Sequence, residues 1–184
     1  HANAYRQVNT FFPHAIEPVC KVFCGRSVPT PRDFGARWGW RGTTTAWRRL
    51  IAPPATDVVD ICPPNDSHAE IAIAALEAGK MVMCEKPLAM NGGEAQRMVD
   101  AAARSGRPTM VSFNYRRVPA VALAKQLVDE GRLGRIFHYR ARYLQDWTIN
   151  PNLPQGGNTL WRLDADTAGS GVTGDLLAHA IDLA

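Results

Sequence analysis

The spacing of apolar residues changes period along this chain. From 57 to 113, short apolar runs alternate with longer segments whose apolar residues recur every three or four positions. Asp57-Val58-Val59-Asp60-Ile61-Cys62 reads as a strand, and Pro63-Pro64-Asn65 breaks it. Asp66 is placed to cap the next helix, and Glu70 supports its first turn. Ile71, Ala74, Ala75 and Ala78 form the apolar stripe of that helix, and Gly79 ends it. Lys80 to Cys84 reads as the next strand. Asn91 caps a helix that runs to Arg104 and closes at Gly106. Thr109 to Phe113 is a further strand.

The same punctuation extends backwards. His1 to Phe12 reads as a helix closed by Pro13, and Ile16 to Cys24 as a strand stopped by Gly25-Arg26-Ser27. Pro31 to Trp38 reads as a short helix with proline in its first turn, where the missing N–H does no harm. Thr44 to Ile51 reads as another, ended by Pro53-Pro54. Strand, loop, helix and strand in this order predict βαβ units around a parallel sheet. The loops after Cys24, Cys62, Cys84 and Phe113 then line one edge, the carboxyl edge where open α/β sheets bind ligands.

After Phe113 the pattern changes. Ala120 to Glu130 reads as a helix capped by Gly131. Residues 135–145 alternate, with Ile136, His138, Arg140 and Arg142 against Phe137, Tyr139, Ala141 and Tyr143. That pattern predicts a long strand with one wet face, in an open, mostly antiparallel sheet. Asn150 to Gly157 reads as loop and Thr173 to Ala184 as helix. The predicted fold is α/β: a parallel-sheet domain over 1–117, followed by the start of an α+β domain over 118–184.

Composition adds limits. Of 184 residues, 46% are hydrophobic and 21% charged, which is globular rather than disordered. Formal charge is +4 and the pI about 9.1. The arginines are scattered, and their tightest groups are only Arg48-Arg49 and Arg116-Arg117. Scattered charge suits a solvated surface or a phosphate-bearing cofactor better than a nucleic acid. Cys20, Cys24, Cys62 and Cys84 lie in apolar, strand-like runs without CxxC spacing, so buried thiols in a reducing cytoplasm are expected. No apolar run reaches the roughly 18 residues of a membrane span, and the expected location is cytoplasmic.

Three stretches carry candidate chemistry. Residues 60–68 run from a strand through Pro63-Pro64 into a helix start, whose free N–H groups favour phosphate or ribose oxygens. A plain strand-to-helix connection would look the same. Cys84-Glu85-Lys86-Pro87 puts two opposite charges directly after an apolar strand, which costs desolvation and so calls for a reason. A strand-end salt bridge is the simpler reading. Asp175 and His179 lie four apart on a predicted helix and share a face, with Asp182 three further on. An acid beside an imidazole can orient it and hold its pKa up, as in a general base. An exposed helix face is the alternative. With no third ligand nearby, a metal site is not expected.

Together these stretches resemble the Gfo/Idh/MocA oxidoreductases. The resemblance rests on Glu85-Lys86-Pro87 after a strand, the Pro64-Asn65 turn followed by His68, and the Gly174-Asp175 to His179 and Asp182 helix. Phe113-Asn114-Tyr115-Arg116-Arg117, residues 131–136 and Trp161-Arg162 fit it too. Residues 143–147 and 113–125 resemble the branch of that family that holds levoglucosan and inositol dehydrogenases. The family opens with a strand and a Gly-x-Gly-x-x-Gly loop before its first helix. This chain starts at His1, within that helix, and ends at Ala184 within another. It is therefore expected to be a fragment that neither folds stably nor catalyses alone.

The resemblance implies reversible hydride transfer between a sugar or polyol carbinol and nicotinamide. It assigns catalysis to Lys86, Asp175 and His179: Lys86 polarises the hydroxyl, helped by the easier deprotonation of a buried ammonium, and His179 is the base. Asp175 either orients His179 or binds a neighbouring hydroxyl. Cofactor contacts are implied for Gly25, Arg26, Cys62, Pro63, Pro64, Asn65, His68, Glu85, Lys86, Asn114 and Arg162. Substrate contacts are implied for Lys86, Arg116, Gln145, Asp146, Trp147, Asp175 and His179, with Trp161 also facing the cleft. Aromatic planes suit sugar C–H faces, and amides and carboxylates suit hydroxyls. At the end of the second strand an acid would mark NAD. Here Arg26 is compatible with the phosphate of NADP or with adenine stacking. The expected cofactor is NAD, with NADP the other candidate, and the expected partners are a sugar or polyol and, through the C-terminal sheet, further copies of the chain. A non-catalytic dinucleotide-binding regulator of the same family, or a reductase of a non-sugar substrate, stays open.

Overall fold

The computed structural model describes residues 1–13, 16–26, 30–52, 54, 56–146 and 160–184. Two compact units divide the chain, residues 1–59 and 60–184.

The first unit contains α1 (Ala2–Phe11), β1 (Val22–Cys24), α2 (Thr30–Trp38), β2 (Gly42–Thr44) and α3 (Arg48–Ile51). β1 and β2 run parallel, with Phe23 opposite Thr43. Phe23 stacks on Phe34 at 4.3 Å between ring centroids. Gly35 lets α2 lie close to β2, because a Cβ there would lie 2.5 Å from Thr43 Cγ2. Two expectations shift. The strand begins at Val22 rather than Ile16, and Ile16 is 80% exposed. Thr44 pairs with β1 instead of opening a helix, which starts only at Arg48. β-branched residues beside a free strand edge favour the ladder over a helix start.

The second unit is built on the sheet β3 (Val58–Ile61), β4 (Met81–Cys84) and β5 (Thr109–Val111), in that order; β3 starts two residues before the unit boundary. β4 and β5 are parallel, with Val82 opposite Thr109. A single 3-10 turn (Asn65–Ser67) leads into α4 (His68–Glu77), which packs on β4 and on α5 (Gly92–Ser105). Ile61, Ala69, Ile71, Ala72, Ala75, Leu76, Val82, Cys84, Met98 and Ala101 are buried between these elements. This is the predicted βαβ unit, and short alanines let α4 lie close to the sheet.

The helix ends follow local chemistry. Asn91 Oδ1 accepts from the Glu94 N–H at 2.9 Å, Glu94 Oε2 accepts from the Met90 N–H at 3.1 Å, and Gly106 closes α5 at φ 61°. Asp66 does not cap α4. The N-cap is Ser67, without a side-chain cap bond; its hydroxyl donates back to Pro64 O at 2.7 Å, because the 3-10 turn intervenes.

A 3-10 turn (Asn114–Arg117) and α6 (Pro119–Asp129) follow β5. Residues 135–146 then depart from expectation: no sheet pairing involves them among the described residues. A strand needs a neighbour to take its N–H and C=O groups, and here Phe137 and Leu144 are 82% and 84% exposed. The expected loop over 150–157 lies outside the described residues. Past it come a 3-10 turn (Leu160–Leu163), α7 (Ala165–Ala168), a π-helical turn (Thr173–Leu177) and α8 (Ala178–Asp182). Among the described residues, no helix is long and apolar enough to cross a membrane.

Candidate active site

The end of β4 organises the site in the second unit. Glu85 N–H donates to Ile61 O at 2.9 Å, which carries the sheet one residue past the strand. The chain then turns through a cis Lys86-Pro87 peptide bond. His68 lies beneath this turn, fully buried, with Nδ1 2.9 Å from Pro87 O and Nε2 2.9 Å from Pro63 O. One imidazole therefore bridges the loops that follow β3 and β4.

Lys86 reaches across to the π-helical turn. Its Nζ donates to Asp175 Oδ1 and to Asp175 O, both at 2.7 Å. An ammonium has three donors, so two are spent on Asp175. The pair is half-sheltered, at 16% and 24% side-chain exposure. Arg162 stands on the other side of the same carboxylate, with Nε 3.9 Å from Asp175 Oδ1 and its guanidinium over the Trp161 ring at 4.5 Å. Asp175 is thus an anion shared between two cations.

A cavity of about 90 Å³ opens over this pair. Its walls include Cys62, Pro63, Asn65, Glu85 and Pro87 from the sheet side, and Trp161, Arg162, Ala168 and Gly171 from the C-terminal segments. Small-molecule pockets start at roughly 300 Å³, so this space takes the reacting end of a ligand rather than a whole dinucleotide. Asn65 is 4% exposed and donates through Nδ2 to Ala168 O at 2.9 Å, whereas its Oδ1 has no partner. A buried acceptor without a donor costs stability. A ligand hydroxyl or amide N–H at this wall would satisfy it.

His179 sits one helical turn beyond Asp175 and is 7% exposed. Its ring contacts Tyr115 at 4.6 Å, Tyr143 at 5.7 Å and Phe113 at 6.1 Å, and its Nδ1 is buried without a partner. The two phenol oxygens lie within hydrogen-bond distance of each other, which holds Tyr115 above the ordinary phenol range. The expected Asp175–His179 support is not formed, because Lys86 takes the carboxylate. Burial lowers the His179 pKa, the Lys86 ammonium lowers it further, and the carboxylates of Asp175, Asp182 and Glu85 oppose this more weakly. The ring is therefore held toward its neutral form, the opposite of the raised pKa expected from an acid beside it.

The other expected site residues divide. Cys62, Pro63, Asn65, Glu85, Lys86, Arg162 and Asp175 line the cavity. Pro64 and His68 are buried beneath it, and Asn114 is exposed and does not line it. Arg116 is not turned to the cavity; its guanidinium is taken up by Asp182. Gln145 Nε2 donates to the Tyr143 hydroxyl at 3.1 Å, and Asp146 is exposed. Trp147 lies outside the described residues. Gly25 and Arg26 end β1 in the first unit; Gly25 N–H donates to Thr44 O at 3.2 Å and Arg26 is exposed. Sequence reasoning missed the ring wall of Tyr115 and Tyr143. The alternation of 135–145 already placed Tyr139 and Tyr143 on one face, and both meet the 178–182 helix: Tyr139 OH donates to Ala180 O at 3.0 Å.

Comparison with known proteins identifies the family. Residues 1–113 match the profile described as oxidoreductase family, NAD-binding Rossmann fold, and residues 121–184 match the GFO/IDH/MocA C-terminal domain. Levoglucosan dehydrogenase of Pseudarthrobacter phenanthrenivorans is 46% identical over 185 residues, covering 100% of this chain and 46% of that protein. An oxidoreductase domain protein from Kribbella flavida superposes with a TM-score of 0.93 at 49% identity, covering 100% of this chain and 48% of that one. A levoglucosan dehydrogenase solved with NADH and levoglucosan also gives 0.93, at 46% identity, with 100% and 49% covered. The chain spans about half the length of the curated relatives it matches.

Proposed function

The chain belongs to the Gfo/Idh/MocA family of oxidoreductases, and from that premise we propose that its protein is an NAD-dependent dehydrogenase acting on a CH–OH group of a sugar or polyol. The observation that carries this reading is Lys86 held 2.7 Å from Asp175, with a buried neutral His179 one turn on. Bound nicotinamide supplies the hydride acceptor. The remaining work falls to this chain's own residues.

Lys86 fixes the carbinol. With two N–H groups on Asp175, its third can donate to the substrate oxygen and draw charge from the O–H bond. Asp175 holds the ammonium in place and accepts from a neighbouring hydroxyl. His179, uncharged at neutral pH, accepts the hydroxyl proton. Cys62, Pro63, Asn65, Glu85 and Arg162 are our candidates to hold the nicotinamide end, with the unpartnered Asn65 Oδ1 as a waiting acceptor. Pro64 and His68 act through the loops they support. Gly25 and Arg26 are our candidates for the adenosine end, and Asn114 for a contact outside the cavity. Arg116, Gln145 and Asp146 enter the substrate reading less directly, because two of them already bind Asp182 and Tyr143. Trp147 keeps its sequence-based assignment to the substrate.

We place the domain boundary near 117/118, supported by profile matches that end at 113 and resume at 121. NAD rather than NADP, and a sugar such as levoglucosan, are supported by the relative solved with NADH and levoglucosan. Association of copies through the C-terminal domain, and a cytoplasmic location suited to four cysteines that stand as thiols, complete the reading, although only Cys84 is buried as expected, Cys20 and Cys24 being half-buried and Cys62 exposed.

The test is turnover by the full-length protein over a panel of levoglucosan, inositols and aldoses with NAD and with NADP. Activity with NAD on at least one polyol is expected. Lys86→Met should lower kcat on the order of a hundred-fold or more without a large loss of thermal stability. Near-normal turnover of that variant, or no activity on any polyol, would sink the reading.

A further inference from the structure

We propose that Arg116 and Asp182 form a positioning pair that holds the helix carrying His179 and sets the orientation of its ring. The inference rests on His179 being the proton acceptor proposed above.

The contact is a fork on a carboxylate. Arg116 Nε donates to Asp182 Oδ2 at 2.8 Å and Oδ1 at 3.0 Å, and Nη2 donates to Oδ1 as well. Exposure is lopsided: 63% for the arginine side chain and 5% for the aspartate. A carboxylate so sheltered needs its partner, since removing the cation strands a buried charge. The arginine is therefore committed to the protein. That differs from the substrate contact expected of it, and it does not line the cavity.

Position along the helix supplies the argument. Asp175, in the π-helical turn, and Asp182, at the end of α8, flank His179 along the chain, four residues before it and three after. Lys86 grips the first and Arg116 the last, so the imidazole lies between two clamps. The second clamp comes from the same short turn as part of the ring wall. Tyr115, beside Arg116 in the 114–117 turn, lies 4.6 Å from the His179 ring. Movement of that turn would displace both supports together. A misplacement near 1 Å is enough to cost about a hundred-fold in rate.

Charge gives the pair a signature that a purely structural contact lacks. Facing His179 are the Lys86 ammonium, the carboxylates of Asp175, Asp182 and Glu85, and the phenols of Tyr115 and Tyr143. Asp182 draws a proton toward His179; Arg116, bound to that carboxylate, should offset the pull by partly neutralising it. Neutralising one member or the other must therefore move the imidazole in opposite directions.

The experiment uses the full-length protein with Asp182→Asn, Arg116→Gln, the double variant and Arg116→Lys. The His179 ring is titrated by NMR, and the acid limb of kcat/KM is measured alongside. Asp182→Asn should move both to lower pH and Arg116→Gln to higher pH, each by about half a unit, with the double variant returning toward wild type. kcat should fall on the order of ten-fold in the Arg116→Gln variant, and Arg116→Lys should restore part of it. Shifts in the same direction, or no shift in either single variant, overturn the proposal. The NMR titration needs no turnover, so it decides this point even if His179→Asn leaves the acid limb unchanged, a result that would instead defeat the reading of His179 as base.

Discussion

His68 spends both ring nitrogens on backbone carbonyls, those of Pro63 and Pro87, and is fully buried. Its sequence position suggested a cofactor contact. Its geometry makes it the tie between two site loops, and that role is energetic. Replacing it with alanine removes the ring's N–H from a sheltered carbonyl, cuts the contact between the two loops and opens a void. His68→Ala should cost roughly 3 kcal/mol, read as a lower urea midpoint in the full-length protein. His68→Gln, which keeps a donor, should recover part of the loss. An unchanged midpoint for His68→Ala would mean the bridge carries no weight.

At the scale of elements, the βαβ unit was legible because its signals are local. Asn91 with Glu94, Gly106 and the alanine-rich stripe of α4 each act within a few residues. Lys86 and Asp175 were each singled out by resemblance, but their pairing was not, because they lie 89 residues apart, beyond any local pattern. Residues 135–146 show the opposite case: the alternation is genuine, yet pairing depends on a neighbour that sequence periodicity does not identify. The helix expected from Thr173 to Ala184 begins with a π-helical turn instead, because Asp175 and Gly174 are drawn against the Lys86-Pro87 turn. Gly169, which ends α7, marks a similar demand. It sits at φ 78°, and a Cβ there would come 3.2 Å from Met90 O and 3.3 Å from Met90 Sδ. Gly169→Ala combines backbone strain with a main-chain clash, so it should destabilise by about 2 kcal/mol. A thermal melt of the full-length variant no lower than wild type would count against this.

For the whole molecule, the buried imidazole couples stability to acidity. The unfolded ring takes a proton near its ordinary value of 6.5, and the folded ring only at lower pH. Between those points the unfolded chain binds more protons, so the His179 contribution is complete above 6.5 and declines as pH falls through the folded pKa. The urea midpoint should therefore drop more between pH 7.5 and pH 5 for wild type than for His179→Gln, and equal drops would show that the ring is not held neutral. The distance in sequence between Lys86 and Asp175 has a further consequence during synthesis. The lysine leaves the ribosome 89 residues before its carboxylate. Throughout that interval the nascent chain carries the turn without its counter-ion and cannot assemble the reacting centre, so completion of the active centre is deferred to the later-made segment.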